Sequence, residues 1–153
     1  MSAEYPDVET EQWLVDDIAA RFVLRPETLE VVVASNLFAD ILSDLGGALA
    51  GSLGVATSAN LDPRRRRPSM FEPVHGSAPD IAGKGIANPV GALSSAALML
   101  EHLGLEEEAE RVDRAIEATT GSGLLTPDLG GTSTTREVGD AALAYLSRGP
   151  EPA

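Results

Sequence analysis

The sequence predicts an α/β fold that is rich in helices and has few strands. Five segments are predicted to be helices, whereas only residues 29–34, LEVVVA, form the short β-branched run that is typical of a buried strand. Residues 70–74 are a candidate second strand. Because so few strands do not make a complete α/β domain, we expect the chain to be part of a larger fold.

The first two predicted helices flank the β-branched run. Residues 7–22 carry apolar side chains at helical spacing, and Pro26 ends that helix or follows its end closely. Asn36 is suited to cap a second helix, FADILSDLGGALA, which should stop near Gly51 and Gly54.

Turn-forming residues divide the second half of the chain. Residues 55–70 contain two prolines and four arginines and are predicted to be a loop or hairpin, with the arginines 64–67 in an exposed turn rather than an anion-binding patch. Asn88 and Pro89 are placed like an N-cap and a first helical residue, before an apolar helix that ends at Gly104. Two more helices are predicted, from Glu106 to about Thr119 and, opened by the capping-box pair Thr134 and Glu137, to about Ser147.

The composition of the chain limits which partners it could bind and which compartment it could occupy. A net charge of −13 argues against nucleic acid and anionic membranes as partners, because both would repel the chain. There is no cysteine, so disulfides and thiolate sites are excluded. The first 13 residues lack the basic and apolar regions of a signal peptide, and no apolar run is long enough to span a bilayer, so we expect a cytoplasmic protein.

Asp40 and Asp44 are four residues apart on the second predicted helix, so both carboxylates project from one face. On spacing alone, a solvated helix face is the more frequent explanation. The pair nevertheless follows directly after a predicted strand, where α/β proteins concentrate their ligand sites. Two carboxylates with no Cys or His nearby would suit Mg²⁺ or Mn²⁺, so the residues leave both explanations open.

Residues 75–88, HGSAPDIAGKGIAN, form a glycine-rich segment without periodicity. Glycines let a backbone approach a ligand and offer N–H donors to phosphate oxygens, and Asp80 could accept hydrogen bonds from ribose hydroxyls. The segment is not a P-loop, because Ala78 and Gly85 occupy its required glycine and Ser/Thr positions, and Asn88 replaces the third glycine of GxGxxG. By composition alone, an ordinary structural loop is the more frequent explanation.

Two segments resemble the signature segments of the β-decarboxylating dehydrogenases. They are residues 36–63, NLFADILSDLGGALAGSLGVATSANLDP, and residues 71–89, FEPVHGSAPDIAGKGIANP. That family includes 3-isopropylmalate, isocitrate, homoisocitrate, tartrate and D-malate dehydrogenases, and the similarity runs from Tyr5 to Leu146. It implies the C-terminal part of an isopropylmalate dehydrogenase-like fold. Residues 1–150 would be one such domain, truncated at its N-terminal side, and residues 151–153 a frayed tail.

The resemblance places Asp40 and Asp44 on the family's metal ligands, which implies Mg²⁺ or Mn²⁺. Asp16 matches a third aspartate that in the family reaches the metal of the neighbouring subunit, which implies a homodimer. Taken alone, Asp16 would more often be an exposed helix residue, and Asp17 beside it is easily confused with it.

The resemblance also implies a dinucleotide loop. The residues that match it are His75, Gly76, Ser77, Ala78, Asp80, Ile81 and Asn88. Relatives with aspartate at the position of Asp80 use its carboxylate for the adenosine ribose hydroxyls and prefer NAD, because a 2′-phosphate would meet a negative charge. NAD is therefore the implied cofactor, although His75 alone would more often be a core or loop histidine.

The implied reaction is the oxidation of a small 2-hydroxy acid, with hydride transfer to NAD and metal-assisted loss of CO₂. The segments ANLDPRRRRPSMFEP, SNLFADILSD and TPDLGGTSTTREV look most like those of tartrate dehydrogenases and decarboxylating D-malate dehydrogenases. 3-Isopropylmalate stays a third possible substrate.

The family's general acid and base are a tyrosine and a lysine from segments upstream of the part matched here. Lys84 is the only lysine of this chain and belongs to the glycine-rich segment, and Tyr5 and Tyr145 match neither position. We therefore assign no catalytic residue and expect a metal- and NAD-binding portion that is not competent alone. The alternatives are a non-catalytic NAD- or metal-binding module and a dimerisation partner.

Overall fold

The computed structural model describes residues 4–148. Its contacts divide the chain into two compact units, Met1–Leu49 and Ala50–Ala153. A single domain over residues 1–150 stays a prediction, and the predicted frayed tail at 151–153 lies outside the described residues.

The first unit contains two helices that pack against each other, α1 (Val15–Leu24) and α2 (Asn36–Leu49). α1 begins later than the residue 7 predicted from apolar spacing. The Glu11 carboxylate accepts a hydrogen bond from the Trp13 indole and pairs with the guanidinium of Arg21, each at 3.0 Å. These side-chain contacts form with residues 11–13 outside the helix.

The prediction of a strand over residues 29–34 is wrong, because the structure has no strand there. Val31 and Val33 are each 86% exposed, and no backbone hydrogen bond joins residues 30–34 to any other part of the described chain. A strand requires a neighbour that satisfies its N–H and C=O groups. Residues 4–148 supply no such neighbour to this segment.

The second unit begins with a hairpin of two antiparallel strands, β1 (Thr57–Asn60) and β2 (Met70–Pro73). Thr57 lies opposite Pro73 and Asn60 opposite Met70. The hairpin alternative predicted for residues 55–70 is therefore confirmed, as is the short strand that follows.

Asp62 organises the turn of this hairpin. Its carboxylate accepts hydrogen bonds from the backbone N–H groups of Arg64, Arg66 and Arg67 at 2.9–3.0 Å. Arg65, at a φ of 51°, donates from its guanidinium to the carbonyl oxygen of His102. The four arginines lie in an exposed turn, as predicted.

Three helices follow the hairpin: α3 (Val90–His102), α4 (Glu106–Gly121) and α5 (Thr135–Ser147). α3 packs against both strands and against α4, which packs in turn against α5. The core between them is built from small apolar residues. The buried apolar residues of these helices are Val90, Ala97, Ala109, Ala115, Val138 and Ala142.

The predicted capping box at the start of α5 is confirmed. The Thr134 hydroxyl accepts a hydrogen bond from the Glu137 N–H at 3.2 Å, and the Glu137 carboxylate accepts one from the Thr134 N–H at 2.8 Å. The Thr134 hydroxyl also donates to the Glu137 carboxylate at 2.8 Å. The hydrogen bonds that this carboxylate accepts from the Thr134 N–H and hydroxyl lower the pKa of Glu137 below its usual range.

Gly91 explains how closely α3 approaches the backbone just before the first strand. A Cβ at this position would lie 2.9 Å from the carbonyl oxygen of Gly54 and 3.3 Å from that of Ala56. Only glycine leaves room for such an approach between helix and backbone.

Within residues 4–148, no helix is both long and apolar enough to cross a lipid bilayer.

Replacing Thr119 by valine is expected to raise the free energy of unfolding by about 1 kcal/mol. Thr119 lies in α4 at 1% exposure, and its hydroxyl has no hydrogen-bond partner among the described residues. Valine keeps the shape and removes the unsatisfied group. Urea unfolding measures the change, with Thr120→Val as control, because the Thr120 hydroxyl donates to the carbonyl of Ile116 at 2.8 Å. A gain in the control, or a loss for valine at 119, contradicts this account.

Candidate functional site

The glycine-rich loop (residues 75–88) connects β2 to α3. Two turns shape it, in which the N–H of Ile81 donates to the carbonyl of Ala78 and the N–H of Lys84 to that of Ile81, both at 3.1 Å. Gly83 and Gly85 have φ values of 77° and 67°, a region that favours glycine. Ala78 adopts a φ of 38°, a strained conformation of the kind that concentrates at ligand sites.

The start of α5 holds the C-terminal part of this loop. The Thr135 N–H donates to the carbonyl of Gly85 at 2.9 Å, and the Thr135 hydroxyl donates to the carbonyl of Ala87 at 2.5 Å. The loop is therefore attached to the helical core by contacts that are distant in sequence.

An open cavity of about 680 Å³ lies beside the loop, within the usual range for small-molecule sites. Six of the seven residues predicted to bind the dinucleotide line it, namely His75, Gly76, Ser77, Ala78, Ile81 and Asn88. The seventh, Asp80, is exposed on the same loop but is not among the lining residues. The structure thus brings most of the predicted cofactor residues to one cavity.

Four lining residues outside the glycine-rich loop were missed by the sequence analysis: Ser52, Gly54, Pro127 and Asp128. The only signal for the last two was the segment TPDLGG, which indicated the subfamily but no contact with the loop. Ser52 and Gly54 gave no signal beyond the predicted end of a helix.

The Asp128 carboxylate is the most heavily hydrogen-bonded group of this cavity. Its Oδ2 accepts from the Ser52 hydroxyl at 2.5 Å and from the Asn88 Nδ2 at 2.9 Å, and its Oδ1 accepts from the Thr126 hydroxyl at 2.5 Å. Burial acts to raise the pKa of Asp128. The hydrogen bonds from Ser52, Thr126 and Asn88 act in the opposite direction and outweigh burial, so the pKa lies below its usual value of 3.8. These contacts therefore stabilise the fold above that pH and are lost as the pH falls through the lowered pKa.

The predicted metal ligands lie in the first unit. Asp40 and Asp44 are one turn apart on α2, and Asp16 lies in the first turn of α1, all three exposed. Within residues 4–148, no hydrogen bond or ion pair engages these carboxylates. No group of three His, Cys, Asp or Glu side chains in the described chain is arranged to hold a metal, so Asp16 does not join the other two. Asp40 and Asp44 offer a hard cation unengaged oxygen ligands, but only part of a coordination sphere.

Known proteins resemble almost the entire chain. A sequence model of the family described as isocitrate/isopropylmalate dehydrogenase matches residues 1–142. A probable tartrate dehydrogenase/decarboxylase of Agrobacterium vitis is 60% identical over 141 residues, which are 92% of this chain and 39% of the relative. The decarboxylating D-malate dehydrogenase of Escherichia coli is 48% identical over 153 residues, covering 97% of this chain and 42% of the relative.

The structural match is equally broad. The crystal structure of isocitrate dehydrogenase from Methylococcus capsulatus superposes with a TM-score of 0.89 at 41% identity, covering 95% of this chain and 43% of that one. The chain spans about two fifths of the length of these relatives. The predicted fold, an isopropylmalate dehydrogenase-like α/β fold with many helices and few strands, is confirmed. The chain belongs to the isocitrate/isopropylmalate dehydrogenase family.

Proposed function

We propose that the chain is the metal- and NAD-binding portion of an NAD-dependent oxidative decarboxylase of small 2-hydroxy acids. The observation that carries the proposal is the cavity beside the glycine-rich loop, because six residues matched to the family's dinucleotide loop line it. The names of the relatives, tartrate dehydrogenase/decarboxylase and decarboxylating D-malate dehydrogenase, support tartrate and D-malate as substrates. 3-Isopropylmalate is the third candidate.

The loop and Asp80 would bind the cofactor. The left-handed turns at Gly83 and Gly85 leave space beside the backbone, since a Cβ at either would meet no atom within 4 Å. The Asp80 carboxylate has no partner among the described residues and is available to ribose hydroxyls. Its charge would disfavour a 2′-phosphate, which favours NAD over NADP. Bound NAD would supply the hydride acceptor.

Asp40 and Asp44 would hold Mg²⁺ or Mn²⁺, which supplies Lewis-acid chemistry to a carbonyl when bound. Because the described residues provide no third ligand, the remaining positions would be filled by water, by substrate and by Asp16 of a second copy in a homodimer. A cytoplasmic location also stays a prediction.

The proton chemistry would need groups from outside this sequence. Lys84 is the only lysine and lies on the glycine-rich loop, while Tyr145 is 40% exposed on α5 with the Arg148 guanidinium 5.4 Å from its ring centre. Neither residue matches the tyrosine or the lysine that the family resemblance implies, so no general acid or base is assigned among residues 4–148. This observation favours a second candidate function, a non-catalytic module that binds NAD or metal, or a dimerisation partner.

Titration of the purified chain with NAD⁺ and NADP⁺ tests the proposal. We expect NAD⁺ to bind more tightly than NADP⁺, and Asp80→Asn to weaken NAD⁺ binding roughly tenfold while reducing the discrimination, since the amide lacks the charge. Asp113→Asn, an exposed change on α4, is the matched control and is expected to leave both affinities unchanged. A chain that binds neither dinucleotide contradicts the proposal.

The same preparation separates the two candidate functions. NADH formation from tartrate or D-malate with Mn²⁺ is measured by absorbance, and we expect none from the chain alone. NAD⁺ binding without turnover, even when the segments of a relative that this chain does not match are supplied, favours the non-catalytic module. Full turnover by the chain alone contradicts the inference that its acid and base lie elsewhere.

A further inference from the structure

We propose that Asp128 is a positioning residue that acts through Asn88 to fix the cavity side of the glycine-rich loop for dinucleotide binding. The inference rests on the proposed function, because it assigns a further residue to the same cavity. It goes beyond the residues matched to the family's loop, since Asp128 lies outside that loop, forty positions after Asn88.

Both the oxygen and the nitrogen of the Asn88 side-chain amide form hydrogen bonds. Its Oδ1 accepts a hydrogen bond at 3.0 Å from the N–H of Val90, the first residue of α3, and its Nδ2 donates to Asp128 Oδ2 at 2.9 Å. These two contacts define which way the amide faces. An asparagine amide has two N–H donors, and no described residue accepts the second one. Because Asn88 lines the cavity, this second donor is left for a ligand.

Asp128 is itself fixed by donors from two other segments. The Ser52 hydroxyl accepts from the Gly54 N–H at 2.9 Å and donates to Asp128, and the Thr126 hydroxyl donates to the other carboxylate oxygen. Hydrogen bonds to a carboxylate are stronger than those between neutral groups. The aspartate therefore presents one defined acceptor position to Asn88.

The packing around Gly54 leaves no room for a side chain at this position. A Cβ there would lie 2.7 Å from Asp128 Oδ2, 2.9 Å from the Asn88 Cβ and 3.1 Å from the Ser52 hydroxyl oxygen. Four residues from three segments thus meet at one edge of the cavity, and all four line it. A contact needed only to close the turn at 126–131 would not require the loop asparagine as a partner.

A double-mutant cycle in NAD⁺ affinity tests the inference. Asp128→Asn and Asn88→Ala are each expected to weaken NAD⁺ binding about tenfold, and the double variant no more than either single one, because both remove the same contact. Asp140→Asn, an exposed change on α5, is the matched control. Additive losses would show that Asp128 acts independently of Asn88 and would overturn the inference, as would unchanged affinity in Asp128→Asn.

Nuclear magnetic resonance reports on the Asn88 side chain directly, and its amide signal would not be shifted by a general loss of stability. In the NAD-free chain, the side-chain amide signal of Asn88 is expected to shift in Asp128→Asn and to stay in place in the control. If Asp128→Asn does not fold, Ser52→Ala replaces it in the cycle, with a smaller expected loss. If the wild-type chain binds no NAD⁺, the proposed function fails, while an Asn88 signal unchanged by Asp128→Asn overturns the positioning role itself.

Discussion

Replacing Gly131 by alanine is expected to lower the free energy of unfolding by about 3 kcal/mol, the upper end of the range for overpacking. An added Cβ would overlap the carbonyl oxygen of Leu125, and would lie 2.5 Å from its carbonyl carbon. That carbonyl cannot turn away freely, because it accepts a hydrogen bond from the Ser133 N–H at 2.9 Å. Urea unfolding followed by circular dichroism measures the loss.

Gly139→Ala provides a control with the opposite sign. Gly139 lies within α5, and a Cβ there would meet no atom within 4 Å. Alanine at such a helical position is expected to stabilise the chain by about 0.5–1 kcal/mol. Equal effects of the two substitutions would contradict the close contact between Gly131 and Leu125.

Asp40→Asn and Asp44→Asn are each expected to weaken Mn²⁺ binding at least about tenfold, equivalent to about 1.4 kcal/mol. Each substitution removes one of two unengaged carboxylates on a single face of α2, and a neutral amide is a poorer ligand for a hard cation. Isothermal titration or Mn²⁺ electron paramagnetic resonance on the purified chain measures the affinity.

Asp16 and Asp17 form a matched pair for the same experiment. Both are exposed neighbours in the first turn of α1. If Asp16 reaches the metal of a second copy, Asp16→Asn lowers the affinity only at chain concentrations that support association, whereas Asp17→Asn has no effect. Unchanged Mn²⁺ binding in both Asp40→Asn and Asp44→Asn would refute the proposed metal site.

Local signals in the sequence predicted the second unit well. The Thr134–Glu137 capping box and the hairpin after residue 55 depend on side chains a few positions apart, and both are present. α3 begins one residue later than predicted, at Val90 with Pro89 as its N-cap, although the Asn88 Oδ1 accepts a hydrogen bond from the Val90 N–H. The strand over residues 29–34 failed for the opposite reason. Its apolar, β-branched residues were recognised, but a strand exists only with a neighbour that the described chain does not contain.

The residues of the candidate site also divide into those that the sequence predicted and those that it did not. Composition indicated a loop that could approach a ligand, and the family resemblance supplied the individual residues, six of which line the cavity. Asp128 was missed because its contacts with Ser52 and Asn88 span 76 and 40 positions, a separation that no local pattern encodes. Whether these residues bind NAD stays a prediction.

The exposed segment at residues 30–34 has a consequence for handling the chain. Its valines face solvent, its backbone N–H and C=O groups are unpaired within the described residues, and Glu30 is its only charge. Short, apolar, β-branched segments with free backbone groups are templates for intermolecular cross-β pairing. At high concentration this segment is where aggregation would start, and a lysine gatekeeper at Val31 or Val33 is the change that would oppose it.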